Sequence, residues 1–348
     1  MLLVCRAADE EAVRERIHAR VPTPHGTAMC RIGDQMLVYV PGDELAPADA
    51  LHESGLVQRV VTDHSDAPLT DRAAVPLGSI VRLGGTATVG GVDFAMIAGP
   101  CAVESYEQMS ASVAMAKAGG AVALRGGAYK PRSSPYSFQG LKDEGLRIMA
   151  QIRAESGLPV VTEVVDAETV DLVAEHADVL QIGTRNAQNF TLLRAVGQAG
   201  KPVLLKRGFG CTVSEWLQAA EYVLAAGNPD VVLCERGIRS FEPSTRFTLD
   251  LSAVAVVKHM SHLPVIVDPS HGVGHRHLVK PLALAAAAVG ADGLLLDIHP
   301  DPASALCDGA QALDRDRWFD LADALRDVLT SLGRGLTLRE PEPAGRVA

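Results

Sequence analysis

Apolar and polar positions follow two different patterns along this chain. Up to about residue 65, short apolar runs and amphipathic stretches alternate over 2–6, 9–20, 27–32, 36–40, 43–54 and 56–62. The runs read as strand, helix, strand, strand, helix, strand, with a turn at Gly33-Asp34 and acidic residues in the first helical turn. That βαββαβ order predicts a ferredoxin-like module over 1–65. Residues 66–92 read as a linker, with Pro68 and Pro76, followed by a hairpin at the Gly84-Gly85 and Gly90-Gly91 pairs.

From residue 93 the pattern changes. Eight apolar runs, at 94–98, 121–124, 159–163, 178–182, 202–206, 231–235, 264–268 and 293–297, are separated by longer helical stretches such as 106–118, 140–156, 168–176, 213–226 and 249–260. Short apolar strands alternating with helices imply a parallel sheet covered on both faces. Eight such units over 93–332 predict an α/β fold of the (β/α)8 TIM-barrel type, with a polar tail at 333–348.

Composition narrows the function. A net charge of −10 excludes a nucleic acid or an acidic membrane surface as partner, because both need a basic field. No apolar stretch reaches membrane-spanning length; the longest candidate, 282–291, is short and followed by Asp292. The N-terminus lacks the charge pattern of a signal peptide, and the six cysteines show no CxxC spacing. A reduced, cytoplasmic protein is expected. Cys5, Cys30 and Cys234 lie inside apolar runs and read as small buried hydrophobes.

Against that acidic background, polar residues of a particular kind recur at or just after strand ends. Cys101 follows the first barrel strand, His271 the seventh, and Asp297 and Asp308 the eighth. One thiol, one imidazole and two carboxylates suit manganese, iron, cobalt or zinc better than calcium or magnesium. Arg125, Lys130, Arg185, Lys206 and Arg236 also fall at or near strand ends, which all converge on one face of a barrel. A metal beside converging cations implies a phosphorylated, anionic substrate. Only seven lysines stand against 25 arginines, so Lys130 and Lys206 in such places suggest that a compact charge or a proton donor is needed. His275 stands four residues from His271, a metal-binding spacing on a helix. Pro269 and the nearby glycines argue against a helix there, so His271 alone is read as a ligand, with His275, His277 and His299 outside the ligand set.

The segments AGPCAVES, LRGGAYKPRSSPYSFQGL, TEVVD, QIGTRNAQNF, LLKRGFG, CERGIRSFE, TLDLSAV, VDPSH and HPDPASALCDG, in unbroken order over 80–315, resemble the metal-dependent 3-deoxy-D-arabino-heptulosonate 7-phosphate (DAHP) synthases. The N-terminal module resembles that of the subgroup with a regulatory domain there. The resemblance implies condensation of phosphoenolpyruvate with erythrose 4-phosphate, the first step of the shikimate pathway. It implies Cys101, His271, Asp297 and Asp308 as metal ligands, and Arg125, Lys130, Arg185, Lys206 and Arg236 as phosphoenolpyruvate-binding cations. Pro131, Arg132 and Ser133 would hold the aldose phosphate; Lys130, Glu163 and Asp308 would be catalytic, Lys130 as a proton donor with a pKa lowered by neighbouring cations. An aromatic amino-acid effector at the N-terminal module and a homo-oligomer are also expected. Position 297 carries Asp where the family normally has Glu, and GTRN replaces GARN. Two other readings are a 3-deoxy-D-manno-octulosonate 8-phosphate synthase, which KPRSSP opposes, and a non-catalytic effector-binding relative.

Overall fold

A computed structural model describes residues 1–20, 26–41 and 54–337. At the N-terminus, strands β1 (Leu2–Arg6), β2 (Ala28–Ile32), β3 (Gln35–Tyr39) and β4 (Val57–Val61) form an antiparallel sheet in the order β2-β3-β1-β4. Helix α1 (Glu10–Arg20) packs on one face through Val13 and Ile17 against Leu3, Cys5, Met36 and Val38. The alternate residues Leu2, Val4 and Leu37 join the core that runs into the barrel. The alternation along β1 is thus buried on both sides, with a helix over one face and the barrel under the other. The helix expected over 43–54 lies almost wholly outside the described residues.

The connecting segment is stitched to both units. Its single 3-10 turn, Pro68–Thr70, directs the Leu69 and Thr70 amides at the Glu221 carboxylate, 2.9 and 3.1 Å away. Ser261 Oγ donates to Thr70 O at 2.7 Å. His262 Nε2 donates to Leu69 O at 2.7 Å, so its Nδ1 must accept from Ser79 Oγ, 2.8 Å away. Burial pushes the His262 imidazole down to about 4 and the Glu221 carboxyl up to about 7. From the other side, Arg59 on β4 donates to the carbonyls of Ala73 and Ala74.

A two-stranded hairpin, β5 (Val81–Gly84) and β6 (Ala87–Val89), comes next. Strands β7 (Ala95–Gly99), β8 (Ala123–Arg125), β9 (Val160–Val164), β10 (Val179–Ile182), β11 (Val203–Lys206), β12 (Val231–Glu235), β13 (Val265–Val267) and β14 (Gly293–Asp297) then close a parallel barrel, β14 pairing with β7. The hairpin's Val81, Leu83, Ala87 and Val89 pack into one cluster with the interior residues Ile97, Val161, Leu204, Ile266 and Leu295. Apolar side chains therefore fill one end of the barrel. Gly99 allows close contact between the first two strands, since a Cβ there would lie 2.0 Å from Arg125 O.

Helices α2 (Tyr106–Ala118), α3 (Asp143–Ser156), α4 (Val170–His176), α5 (Phe190–Gln198), α6 (Val213–Ala225) and α7 (Leu251–Met260) follow successive strands. After β13 come the five-residue α8 (Pro269–Val273) and α9 (Arg276–Ala288); α10 (Arg315–Ser331) follows β14. Helix α8 corrects the expectation of no helix at His271. Its proline occupies the first helical position, where no backbone donor is needed, Asp268 caps it, and Gly274 ends it at φ +73°. Residues 333–337, expected in the polar tail, instead bond to the barrel: Phe94 N donates to Gly335 O, Thr337 N donates to Phe94 O, and Arg334 donates to Ala291 O.

Candidate active site

The strand directions set the geometry of the site. Cys101 lies just beyond β7, His271 on α8 after β13, Asp297 at the last residue of β14, and Asp308 in the loop that follows. One ligand atom from each lies within 4.8 Å of all the others. His271 Nε2 faces this group, 3.6 Å from an oxygen of Asp297, 3.6 Å from one of Asp308 and 3.8 Å from the Cys101 sulfur. Asp308 adopts φ +54°, a left-handed conformation that Asp tolerates better than most residues, and sites under functional constraint collect such positions. Clustering a thiol, an imidazole and two carboxylates this tightly fits a divalent metal.

Asp268, which sequence reasoning overlooked, supports this group. Its carboxylate accepts from His271 N at 2.9 Å, lies 2.9 Å from His271 Nδ1 at a bent angle, and pairs with Lys206 Nζ at 2.6 Å. Burial opposes its charge, but His271 and Lys206 more than offset this and hold the carboxyl well below its ordinary range. The signal was legible in DPSH: an Asp three residues before His271 has the spacing of a helix cap. The His271 imidazole is raised, Asp268 and Asp297 outweighing the opposing effect of burial.

All the expected cations are on this face. Arg125 Nη1 donates to Asp297 Oδ1 at 2.6 Å and to Pro100 O at 2.9 Å, while its buried Nε has no partner. Lys130 Nζ lies 3.0 Å from Cys101 O and 3.1 Å from Cys101 Sγ. Its expected lowered pKa is corrected: burial opposes the charge, but the adjacent sulfurs of Cys101 and Cys307 outweigh it and raise the pKa. Arg236 stacks 4.0 Å over the Phe247 ring, which itself stacks on Phe209. Burial lowers Arg236 to about 10, so it keeps its proton at neutral pH. Arg185 Nη2 reaches Ser133 Oγ at 3.3 Å. Arg125, Lys130, Pro131, Arg132, Ser133, Glu163, Arg185, Lys206 and Arg236 all line one cavity of about 280 Å³, together with His271 and Asp308. Gly183 makes room for Glu163, since a Cβ there would lie 1.9 Å from its Oε1.

Two more residues enter the site unannounced. Cys307, adjacent to Asp308, places its sulfur 3.3 Å from that of Cys101 and accepts from Arg132. Hydrogen bonding from Cys101 lowers its thiol to about 7 despite burial. Arg246, in the loop after β12, pairs with Asp308 at 3.3 Å.

The sequence profile of the DAHP synthetase I family matches residues 78–332. The chain belongs to the DAHP synthetase I family. Among relatives of this family member, the phospho-2-dehydro-3-deoxyheptonate aldolase of Thermotoga maritima is 45% identical over 86% of this chain and 89% of its own. A 2-dehydro-3-deoxyphosphooctonate aldolase of Acidithiobacillus ferrooxidans is 37% identical, over 68% of this chain and 89% of its own. A crystal structure of the Thermotoga maritima DAHP synthase matches 96% of this chain and 98% of its own, at 40% identity and a TM-score of 0.77. A truncated form of that enzyme matches 77% of this chain and 98% of its own, with a TM-score of 0.73. Among the described residues, no helix of this DAHP synthase family member is long and apolar enough to cross a membrane.

Proposed function

We infer that the protein condenses phosphoenolpyruvate, erythrose 4-phosphate and water to 3-deoxy-D-arabino-heptulosonate 7-phosphate and phosphate. The observation that carries this is one cavity lined by six expected cations and by His271 and Asp308, two of the four residues whose ligand atoms cluster within 4.8 Å. Phosphoenolpyruvate brings two to three negative charges, one from its carboxylate and about 1.5–2 from its phosphate. Arg125, Lys130, Arg185, Lys206 and Arg236 hold it, and Pro131, Arg132 and Ser133 hold the phosphate of the aldose.

A divalent metal (manganese, iron, cobalt or zinc by donor type) held by Cys101, His271, Asp297 and Asp308 would supply Lewis-acid polarisation of the aldehyde. C3 of the enolpyruvate bonds to C1 of the aldose, water adds at C2, and the C2–phosphate bond breaks. Lys130, kept protonated, offers its ammonium to the oxygen that gains charge at C1. Glu163, whose carboxylate fills the space that Gly183 leaves, orients the water. Phosphate release with erythrose 4-phosphate and with a longer aldose phosphate tests the reading. Turnover only with the longer sugar would replace it with the octulosonate reaction; metal-independent turnover of Cys101→Ala would remove the metal from it.

The N-terminal module is assigned an aromatic amino acid as effector. No candidate catalytic residue lies within it, which supports this. Removal of residues 1–65 should leave turnover and abolish inhibition; full inhibitor sensitivity would move the effector site to the barrel. The nearly bare Leu77 and the exposed Ile80 and Val92 support contact between copies in a homo-oligomer. Six free cysteines, all buried, support a cytoplasmic location.

A further inference from the structure

Gln311 has no part in the chemistry so far, yet its amide is among the most buried polar groups of the site, 2% exposed. It lies in the turn that begins at Asp308, where its backbone N–H donates to Asp308 O at 3.2 Å. Its Nε2 donates to Asp297 Oδ2 at 2.6 Å, and its Oε1 accepts from Arg246 Nη1 at 3.1 Å. A guanidinium can only donate and a carboxylate can only accept, so the two neighbours fix the orientation of this amide. The oxygen it grips, Asp297 Oδ2, is the one that stands 3.6 Å from His271 Nε2. The other oxygen is held from the opposite side by Arg125. Arg246 also pairs with Asp308 Oδ2. Gln311 is therefore the link in a chain Asp297–Gln311–Arg246–Asp308 that joins two of the four candidate ligands.

We propose that Gln311 is a positioning residue of the metal centre: its amide holds Asp297 Oδ2 toward the ion and, through Arg246, locks the two carboxylates into one arrangement. The inference rests on the reading of Cys101, His271, Asp297 and Asp308 as metal ligands. Asp has a short arm, and the carboxylate at the end of β14 can rotate; without the amide, Arg125 alone fixes it, and from the wrong side. A buried amide with only a packing role would tolerate an apolar residue of similar size with no effect on the metal. A positioning amide would not.

The test uses the full chain stripped of metal and titrated with Co²⁺, read by calorimetry and by the thiolate-to-cobalt absorption band. Gln311→Leu removes both hydrogen bonds; Gln311→Glu keeps the length and the bond to Arg246 but sets a carboxylate against Asp297. Both are expected to weaken Co²⁺ binding roughly 10- to 100-fold and to shift the band, the size typical for outer partners of metal ligands. Thermal unfolding of the metal-free proteins reports whether each variant folds; if the leucine variant does not, the near-isosteric glutamate variant decides alone. Wild-type affinity and an unshifted band in the folded variants, with binding lost in Cys101→Ala, overturn the inference and leave the metal reading intact. Wild-type Co²⁺ binding in Cys101→Ala overturns the metal reading, and this inference with it.

Discussion

Asp268→Asn tests how the metal group and the cation cluster depend on each other. The wild-type carboxylate receives Lys206 Nζ at 2.6 Å and the His271 amide at 2.9 Å, with His271 Nδ1 also 2.9 Å away. One oxygen, Oδ1, takes the backbone amide; the other, Oδ2, meets both Lys206 and the imidazole. An asparagine that keeps its oxygen on the backbone amide must turn its NH₂ toward those two donors. Lys206, 4% exposed, then loses the carboxylate it pairs with, its one ion-pair partner among the described residues. Removing one partner of a buried pair costs about 3–5 kcal/mol. Disturbing an outer partner of a ligating histidine should also weaken metal binding roughly 10–100-fold, or about 1.4–2.7 kcal/mol. Urea unfolding of the metal-free proteins measures the first effect and Co²⁺ calorimetry the second. Because the Asp268 carboxyl is held below its ordinary value, its contribution is complete above about pH 4 and fades as acid protonates it. The gap between wild type and variant should therefore close in acid. A stability loss under about 1 kcal/mol at neutral pH with unchanged Co²⁺ affinity would refute the hub assigned to Asp268.

Three further outcomes follow from the same geometry. Glu221 is raised to about 7, so ionising it destabilises the fold: wild-type stability should fall by about 3 kcal/mol between pH 4.5 and 7 relative to Glu221→Gln. An equal wild-type–variant difference in urea unfolding at pH 5 and pH 8 would contradict this. Gly183→Ala should push the Glu163 carboxylate aside and lower kcat roughly 100-fold without loss of fold; near-normal kcat would separate Glu163 from the reaction. In metal-free protein, a mild thiol oxidant should join Cys101 to Cys307, whose sulfurs are 3.3 Å apart, detected as the loss of two hydrogens in a peptide pair and blocked by prior metal loading. Two free thiols after oxidation would mean the pair cannot close.

The barrel was legible because its strands are buried on both faces and so read as apolar runs between helices. Strands β12 and β14 coincide with their predicted spans, and the others differ by a residue or two at their ends. That Cys101, His271, Asp297, Asp308 and the cations come together could also be read, because strand ends converge in a barrel and each residue needed only its place relative to its own strand. What could not be read depended on contacts between distant segments. Gln311 sits in an unremarkable loop, and its meaning appears only where Asp297 and Arg246 approach it from separate elements. Cys307 carries no sign of a role in the sequence; its meaning appears only where the loop brings it to Cys101. The direction of the Lys130 shift went wrong for the same reason, since the sequence showed nearby cations but not the two sulfurs. At α8 the local rule itself was misapplied: proline was read as a breaker, although at the first helical position it is a starter.

The hairpin packed into the base of the barrel has a kinetic consequence. With that end filled by Val81, Leu83, Ala87 and Val89, the site opens on the face where the strands end. Arg125, Lys206 and Arg236 are only 3–4% exposed, whereas Arg185 and Ser133 lie open at the rim. On the assignment proposed above, an aldose phosphate resting on Arg132 and Ser133 stands in the path to the deeper cations. Phosphoenolpyruvate must then load first and the sugar second, so a dead-end complex forms whenever the sugar arrives early. Excess erythrose 4-phosphate should inhibit competitively against phosphoenolpyruvate, a traffic rule set by a four-residue apolar plug at the far end of the molecule.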